Sequence, residues 1–209
     1  MDVVIDGERG KLVPPPTATF ERLFKDVRAH VFASRRIVLS MTLDGQDLSW
    51  GRQEALKPEV PKAGALLEVR TADSVQFSLE TIANLTEHVG NLEQSHEQAA
   101  AKMIAGAYKD AMQLLAGCFE GWKVLVSGIR QMANLTAIDL STLTAGKATV
   151  DQVIQETVDS LVRFKEAFDQ KDVVRIGDLS QYELKPLLGS WRLVLEVIGR
   201  ELVRKSPPA

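Results

Sequence analysis

The stretch DSVQFSLETIANLTEHVGNLEQSHEQAAAKMIA, residues 73–105, decides the fold. Within it Ile82, Leu85, Val89, Leu92, His96, Ala99 and Met103 recur at steps of three and four, the spacing that gathers side chains on one face of a helix. At 1.5 Å per residue the helix would be roughly 50 Å long. Such a rod needs cover along one whole side, and the chain beyond it supplies three further apolar periods.

Ala105-Gly106-Ala107 reads as the turn into a second helix, over about 108–137, with Leu115, Cys118, Trp122, Leu125, Ile129 and Met132 on one line. Gly117 and Gly121, one turn apart, read as points where a neighbouring helix comes close, because no strand precedes them and their spacing is not that of a phosphate loop. From Asp139 to Ala148 the Ser, Thr and Gly content marks a connection. Thr149-Val-Asp-Gln152 then reads as a capping box opening a third helix to about 169, whose buried side is Val150, Val153, Ile154, Val158, Leu161, Phe164 and Phe168. Gln170-Lys-Asp172 turns the chain into a fourth helix, about 172–204. Pro186 lies inside it, opposite the carbonyl of Tyr182, so a bend is expected there rather than a break. Residues 206–209 are expected to be a disordered tail.

An internal echo accompanies these periods. Trp122-Lys-Val-Leu-Val-Ser-Gly-Ile129 aligns with Trp191-Arg-Leu-Val-Leu-Glu-Val-Ile198, downstream of the pairs Lys109-Asp110 and Lys171-Asp172. Counted from those pairs the two copies differ by one heptad, which suggests two related helical hairpins.

The first seventy residues have a different rhythm. Val3–Asp6 and Lys11–Val13 read as short strands around the glycine-bearing turn Gly7–Gly10, closed by Pro14, Pro15 and Pro16. Thr17 or Thr19 can cap a helix whose apolar side is Phe20, Leu23, Phe24, Val27, Val31 and Phe32. Ile37–Leu43 is a strand with Ile37, Leu39, Met41 and Leu43 inward and Val38, Ser40 and Thr42 outward. After the turn Asp44-Gly45 and an irregular segment comes Ala65–Thr71, with Leu67 and Val69 inward.

The order strand, strand, helix, strand, irregular segment, strand, with the turn pieces Asp6-Gly7 and Leu43-Asp44-Gly45, resembles the ubiquitin-like β-grasp fold over residues 1–72. The resemblance implies a docking module that uses the open face of its sheet. That face would show Val38, Ser40, Thr42, Glu68 and Arg70, a polar surface rather than a strong hydrophobic patch. Conjugation to a target is not implied, since the domain runs on into a helix and the sequence ends Ser206-Pro-Pro-Ala209 instead of a Gly-Gly tail.

Composition narrows the function classes. The chain has 209 residues, 45% hydrophobic and 25% charged, with a net charge of −3, so it has the makings of an ordinary soluble protein with one or two domains. Residues 1–70 hold 11 Lys and Arg against 10 Asp and Glu, and the rest 14 against 18, so nucleic acid is not an expected partner. No apolar run nears the roughly 18 to 20 residues of a membrane span, so no membrane is expected as partner. The start, Met1-Asp-Val-Val-Ile-Asp6, lacks a basic region and a long apolar run, so a cytoplasmic address is expected. Cys118, the single cysteine, sits on an apolar face and reads as a core residue.

Glu93-Gln-Ser-His96 is the sharpest chemical motif. Glu-x-x-His sets a carboxylate and an imidazole one turn apart, as in di-iron and di-manganese bundles, but those sites need two copies and two further carboxylates. Here there is one copy and three histidines, His30, His88 and His96; a homodimer could bring two copies together, and His96 otherwise reads as a hydrogen-bonded core histidine. No zinc-binding cysteine set, nucleotide-binding glycine loop or protease context occurs, and no cofactor is implied.

The sequence therefore predicts an α+β protein: a β-grasp-like domain, 1–72, followed by an elongated antiparallel four-helix bundle, 73–205. The expected function is a non-enzymatic adaptor, scaffold or client-binding chaperone for an unidentified protein partner, with a homo-oligomer also open. Tyr182, Pro186, Val38, Thr42 and Arg70 are the candidate contact residues. The alternative is a metal-binding bundle protein or enzyme using Glu93 and His96.

Overall fold

Asp6-Gly7 and Asp44-Gly45 each put two successive residues at positive φ (51° and 84°, 51° and 77°), the geometry of a two-residue hairpin turn whose twist matches that of the flanking strands. In the computed structural model, which describes residues 1–15 and 17–205, these turns build the two hairpins of an N-terminal sheet. The chain divides into two units, Met1–Phe77 and a helical unit from Ser78 onward. The fold is mixed α+β, a five-stranded sheet followed by a long helical region.

In the first unit β1 (Asp2–Ile5), β2 (Glu8–Arg9), β3 (Arg36–Leu43), β4 (Gln46–Asp47) and β5 (Leu66–Asp73) lie in the order β2-β1-β5-β3-β4. The central pair β1 and β5 is parallel, and the other pairs are antiparallel. Helix α1 (Phe20–Ala33) is capped by Thr19, whose hydroxyl accepts the Arg22 N–H, and it buries Phe20, Leu23, Phe24, Val27 and Val31 against Val3, Ile5, Met41, Leu67 and Val69. A short helix α2 (Trp50–Leu56) occupies part of the segment read as irregular.

Three expectations for this unit need correction. Because two residues suffice for the first turn, the second strand starts at Glu8 and not at Lys11. Of the residues that were to close it, Pro14 and Pro15 lie in no strand, and Pro16 is outside the described residues, as is the tail 206–209. Phe32, in the last turn of α1, is 58% exposed rather than buried. The third correction is on β3, where Val38 pairs with Thr71 and Ser40 with Arg70, leaving Leu39 as an extra residue. The bulge reverses the alternation upstream of it. Val38, expected on the open face, packs against the core, and Leu39, expected inward, is 54% exposed.

The second unit contains all but the first turn of α3 (Ser74–Ile104), then α4 (Tyr108–Thr136), α5 (Val150–Asp169), and a fourth rod made of α6 (Val173–Asp178), a π-helical segment (Leu179–Leu184) and α7 (Lys185–Lys205). Cross-contacts fix an antiparallel bundle. Gly121 meets Leu92 and Gly128 meets Leu85 between α3 and α4, and Phe119 stacks on Phe164 between α4 and α5. Trp191 bonds Thr157 between α7 and α5, while Glu93 pairs with Arg192 and Ile82 meets Gly199 between α3 and α7. The capping box at Thr149 and Gln152 is present. A two-residue hairpin, β6 (Thr144–Ala145) with β7 (Ala148–Thr149), turns at Gly146 at the end of the stretch read as a connection.

The fourth rod continues through Pro186, as expected, but the adjustment is a π segment ahead of the proline. The Lys185 N–H donates to Ser180 O, five residues back. A wider turn carries the Tyr182 carbonyl away from the proline ring that would otherwise press on it. The echo between the hairpins also takes a different register. Both hairpins turn through a left-handed residue, Gly106 (φ 76°) and Lys171 (φ 56°), closed by Ala107 N–H to Lys102 O at 2.9 Å and Asp172 N–H to Ala167 O at 3.0 Å. Lys109-Asp110 lies within α4, so it is not the counterpart of Lys171-Asp172, and counting from those pairs misplaces the offset. Trp122 lies sixteen residues after Gly106 and Trp191 twenty after Lys171, a difference of four residues, about one turn, rather than a heptad.

The two glycines of α4 differ. A Cβ on Gly121 would stand 2.7 Å from Leu92 Cδ2 and 3.2 Å from His88 Nε2, whereas one on Gly117 would meet nothing within 4 Å. Close approach therefore explains Gly121 and not Gly117. Gly117→Ala should stabilise by about 0.5–1 kcal/mol through helix propensity. Gly121→Ala should destabilise by about 1 kcal/mol net, because overpacking against buried Leu92 outweighs the same gain. Urea denaturation of both variants reads the opposite signs.

Candidate functional site

The bundle centre is organised by two tryptophans. Trp122 and Trp191 are both fully buried, with ring centroids 6.4 Å apart at 60°. A buried indole N–H needs an acceptor. Trp122 Nε1–H donates to His96 Nε2 at 3.0 Å, and Trp191 Nε1–H donates to Thr157 Oγ1 at 2.8 Å. The Thr157 hydroxyl in turn donates a hydrogen bond to Val153 O at 2.8 Å.

This fixes the chemistry of His96, which is 1% exposed. With Nε2 accepting, the proton resides on Nδ1 and is donated to Ser180 Oγ at 2.8 Å, within the π segment. Burial, with the charge of Lys185 added, pushes the imidazole down to about 4, so it is neutral at ordinary pH. Cys118 is likewise buried, and its thiol is pushed up to about 11 by burial, which makes it a poor nucleophile.

Glu93 does not join His96. Its carboxylate accepts from Arg192 Nη2 at 2.6 Å across α3 and α7, and that bond and charge hold it below the usual carboxylate range. Glu97, one turn on, pairs with Lys185 at 3.2 Å. Both His96 nitrogens already have partners, so a metal at this motif would have to displace Ser180 or Trp122. Among the described residues no three His, Cys, Asp or Glu side chains gather as a metal set.

A family profile described as a domain of unknown function, DUF8042, matches residues 80–194. The chain belongs to that family. The DUF8042 region runs from the second turn of α3 into α7 and takes in His96, Trp122, Thr157, Ser180 and Trp191, the residues that bond around the two indoles. No curated protein and no solved structure matches the chain.

Outside the DUF8042 region the open sheet face carries the other candidates. Thr42 and Arg70 line a hollow of about 660 Å³ together with Leu39, Glu68 and Asp6, while Val38 points away into the core. Thr42 Oγ1 donates to Glu68 at 3.3 Å. At the rim, Asp6 accepts from the backbone and hydroxyl of Thr71 at 2.8 and 2.5 Å, and Arg36 stands 3.3 Å away. Partial burial opposes ionisation of Asp6, but those bonds, with Arg36 and Lys11, outweigh it and hold its pKa below the ordinary value.

Tyr182, 74% exposed, and Pro186 lie on the outside of the fourth rod. Neighbouring Glu183 is tied to Arg163 of α5. Thr157 and Ser180 were not singled out from sequence. The available signal was a polar residue inside an apolar period, opposite a tryptophan that must find an acceptor.

The His96 environment sets a pH dependence. Folded His96 binds its proton only near pH 4, unfolded His96 near 6.5, so between those values the unfolded state holds more protons and stability falls as pH drops. The loss should reach about 3 kcal/mol by pH 4 and should be absent from His96→Gln, as read from urea midpoints across pH 4 to 7.

Proposed function

We propose that this chain is a non-enzymatic protein–protein interaction protein of the cytoplasm, an adaptor, scaffold or client-binding chaperone. The observation that carries the reading is the engagement of both His96 nitrogens by Ser180 and Trp122, which spends the most reactive group of the bundle core on holding helices together. Work is then left to the outer surfaces. The sheet order β2-β1-β5-β3-β4, with β1 and β5 parallel and α1 across one face, supports reading the first unit as a β-grasp docking module. Leu39, raised by the bulge, gives its open face an apolar knob among polar groups. No helix among the described residues is long and apolar enough to cross a membrane.

Affinity capture of the full chain from its native cell should recover a discrete protein in near-stoichiometric amount, and Leu39→Asp should deplete it. Stoichiometric metal in the purified chain, lost on His96→Ala, would overturn the reading in favour of a metal-binding bundle.

A further inference from the structure

Between α4 and α5 the bundle surface opens into a trough of about 380 Å³. Its floor is apolar, made by Phe119 and Val126 of α4 and Val158 and Leu161 of α5. Lys123 and Arg130, both exposed on α4, line the rim seven residues apart and therefore nearly on one line along the helix.

Arg130 stands out by its charge state of affairs. In the helical unit Arg163, Arg175, Arg192, Arg200 and Arg204 each have a carboxylate within ion-pair distance. Among the described residues Arg130 has none. Lys123 shares Glu120 at 2.8 Å, one turn earlier on its own helix, and lies 5.6 Å over the Phe119 ring. A greasy strip edged by two aligned cations, one of them unneutralised, fits an amphipathic segment whose acids flank its apolar residues.

Shape selects the form of that segment. The lining runs from Phe119 to Asn134, roughly 22 Å along α4, which is about four turns of a facing helix and longer than a compact small ligand needs. An added strand is disfavoured, because both walls are helices whose backbone groups are bonded internally.

We propose that the α4–α5 trough is the docking site for one amphipathic helix of a partner protein, carrying two acidic residues seven positions apart beside an apolar seam. This deepens the interaction reading above and rests on it. The partner helix lies along α4, sets its apolar side chains against the strip of half-buried Phe119 and Val158 over buried Val126 and Leu161, and brings its carboxylates to Lys123 and Arg130.

The test uses the full chain and a labelled helical peptide of about 18 residues with a leucine seam and two glutamates seven apart, against the same peptide with lysines in their place. Fluorescence anisotropy should show the glutamate peptide binding at least about tenfold more tightly. Arg130→Glu should weaken it severalfold, and Lys123→Glu with Arg130→Glu should reverse the preference towards the lysine peptide, with unchanged thermal unfolding showing that the fold persists. Equal binding of the two peptides, or indifference to the charge reversal, would overturn the proposal. So would a concentration-dependent dimer in light scattering that Arg130→Glu abolishes, since the trough would then serve a second copy. A charge-blind result with partner capture intact removes the trough and leaves the interaction reading standing, whereas loss of capture removes the latter by itself.

Discussion

An indole N–H buried without an acceptor costs on the order of 1–3 kcal/mol, and this bundle places two indoles against each other at its centre. That constraint reaches well beyond the tryptophans. To serve Trp122, the facing seam of α3 gives up an apolar position to His96, and because the ring receives a proton at Nε2 it must deliver one from Nδ1. Ser180 takes it from the π segment, so a donor on α4 is linked through α3 to the fourth rod. For Trp191 the same need is met more simply by Thr157, which disposes of its own proton one turn back on α5. No buried side-chain nitrogen or oxygen among the described residues is left unpartnered. The polar chain costs some core hydrophobicity and gives the four rods a fixed register.

The two hairpins solve this problem in parallel. In each, the tryptophan on the second rod reaches a polar side chain on the first. His96 lies ten residues before the left-handed turn residue Gly106, and Thr157 fourteen before Lys171. Each arm of the second hairpin is thus longer by four residues, nearly one turn. Lengthening both arms equally keeps acceptor and donor at the same level, which is why the echo around Trp122 and Trp191 survives a change of hairpin length.

Much of the architecture was legible because it rests on periods. The apolar steps of three and four gave the helices and their main buried faces, and Asp-Gly pairs gave the sheet hairpins. Thr149 and Gln152 gave a helix start to the residue. What was not legible depends on a single residue inserted or a neighbour's position. Leu39 obeys the strand alternation in the sequence, yet an unpaired bulge residue turns it outward and Val38 inward. Gly117 and Gly121 look alike in the sequence and differ only because Leu92 and His88 stand over one of them. The π segment ahead of Pro186 follows from the proline, but its extent is set by packing of Leu179, Ser180 and Leu184. Of the chemical candidates, Glu93 and His96 share a motif spacing, but Arg192 claims the one and Trp122 with Ser180 the other.

This division of the polar side chains bears on where recognition can arise. Across α3 and α7 the ion pairs Glu93–Arg192 and Glu97–Lys185 close the seam that overlies His96, and Arg163–Glu183 closes the one between α5 and the π segment. Between α4 and α5 no such pair bridges the described residues. The helices meet there through Phe119 and Phe164, and the trough lies over Val126 and Leu161. A seam without cross-bridging charges leaves Arg130 without a carboxylate and the edges of its apolar floor, Phe119 and Val158, partly exposed. Both terms favour covering it: apolar area is removed from solvent, and a carboxylate brought to Arg130 displaces no existing pair.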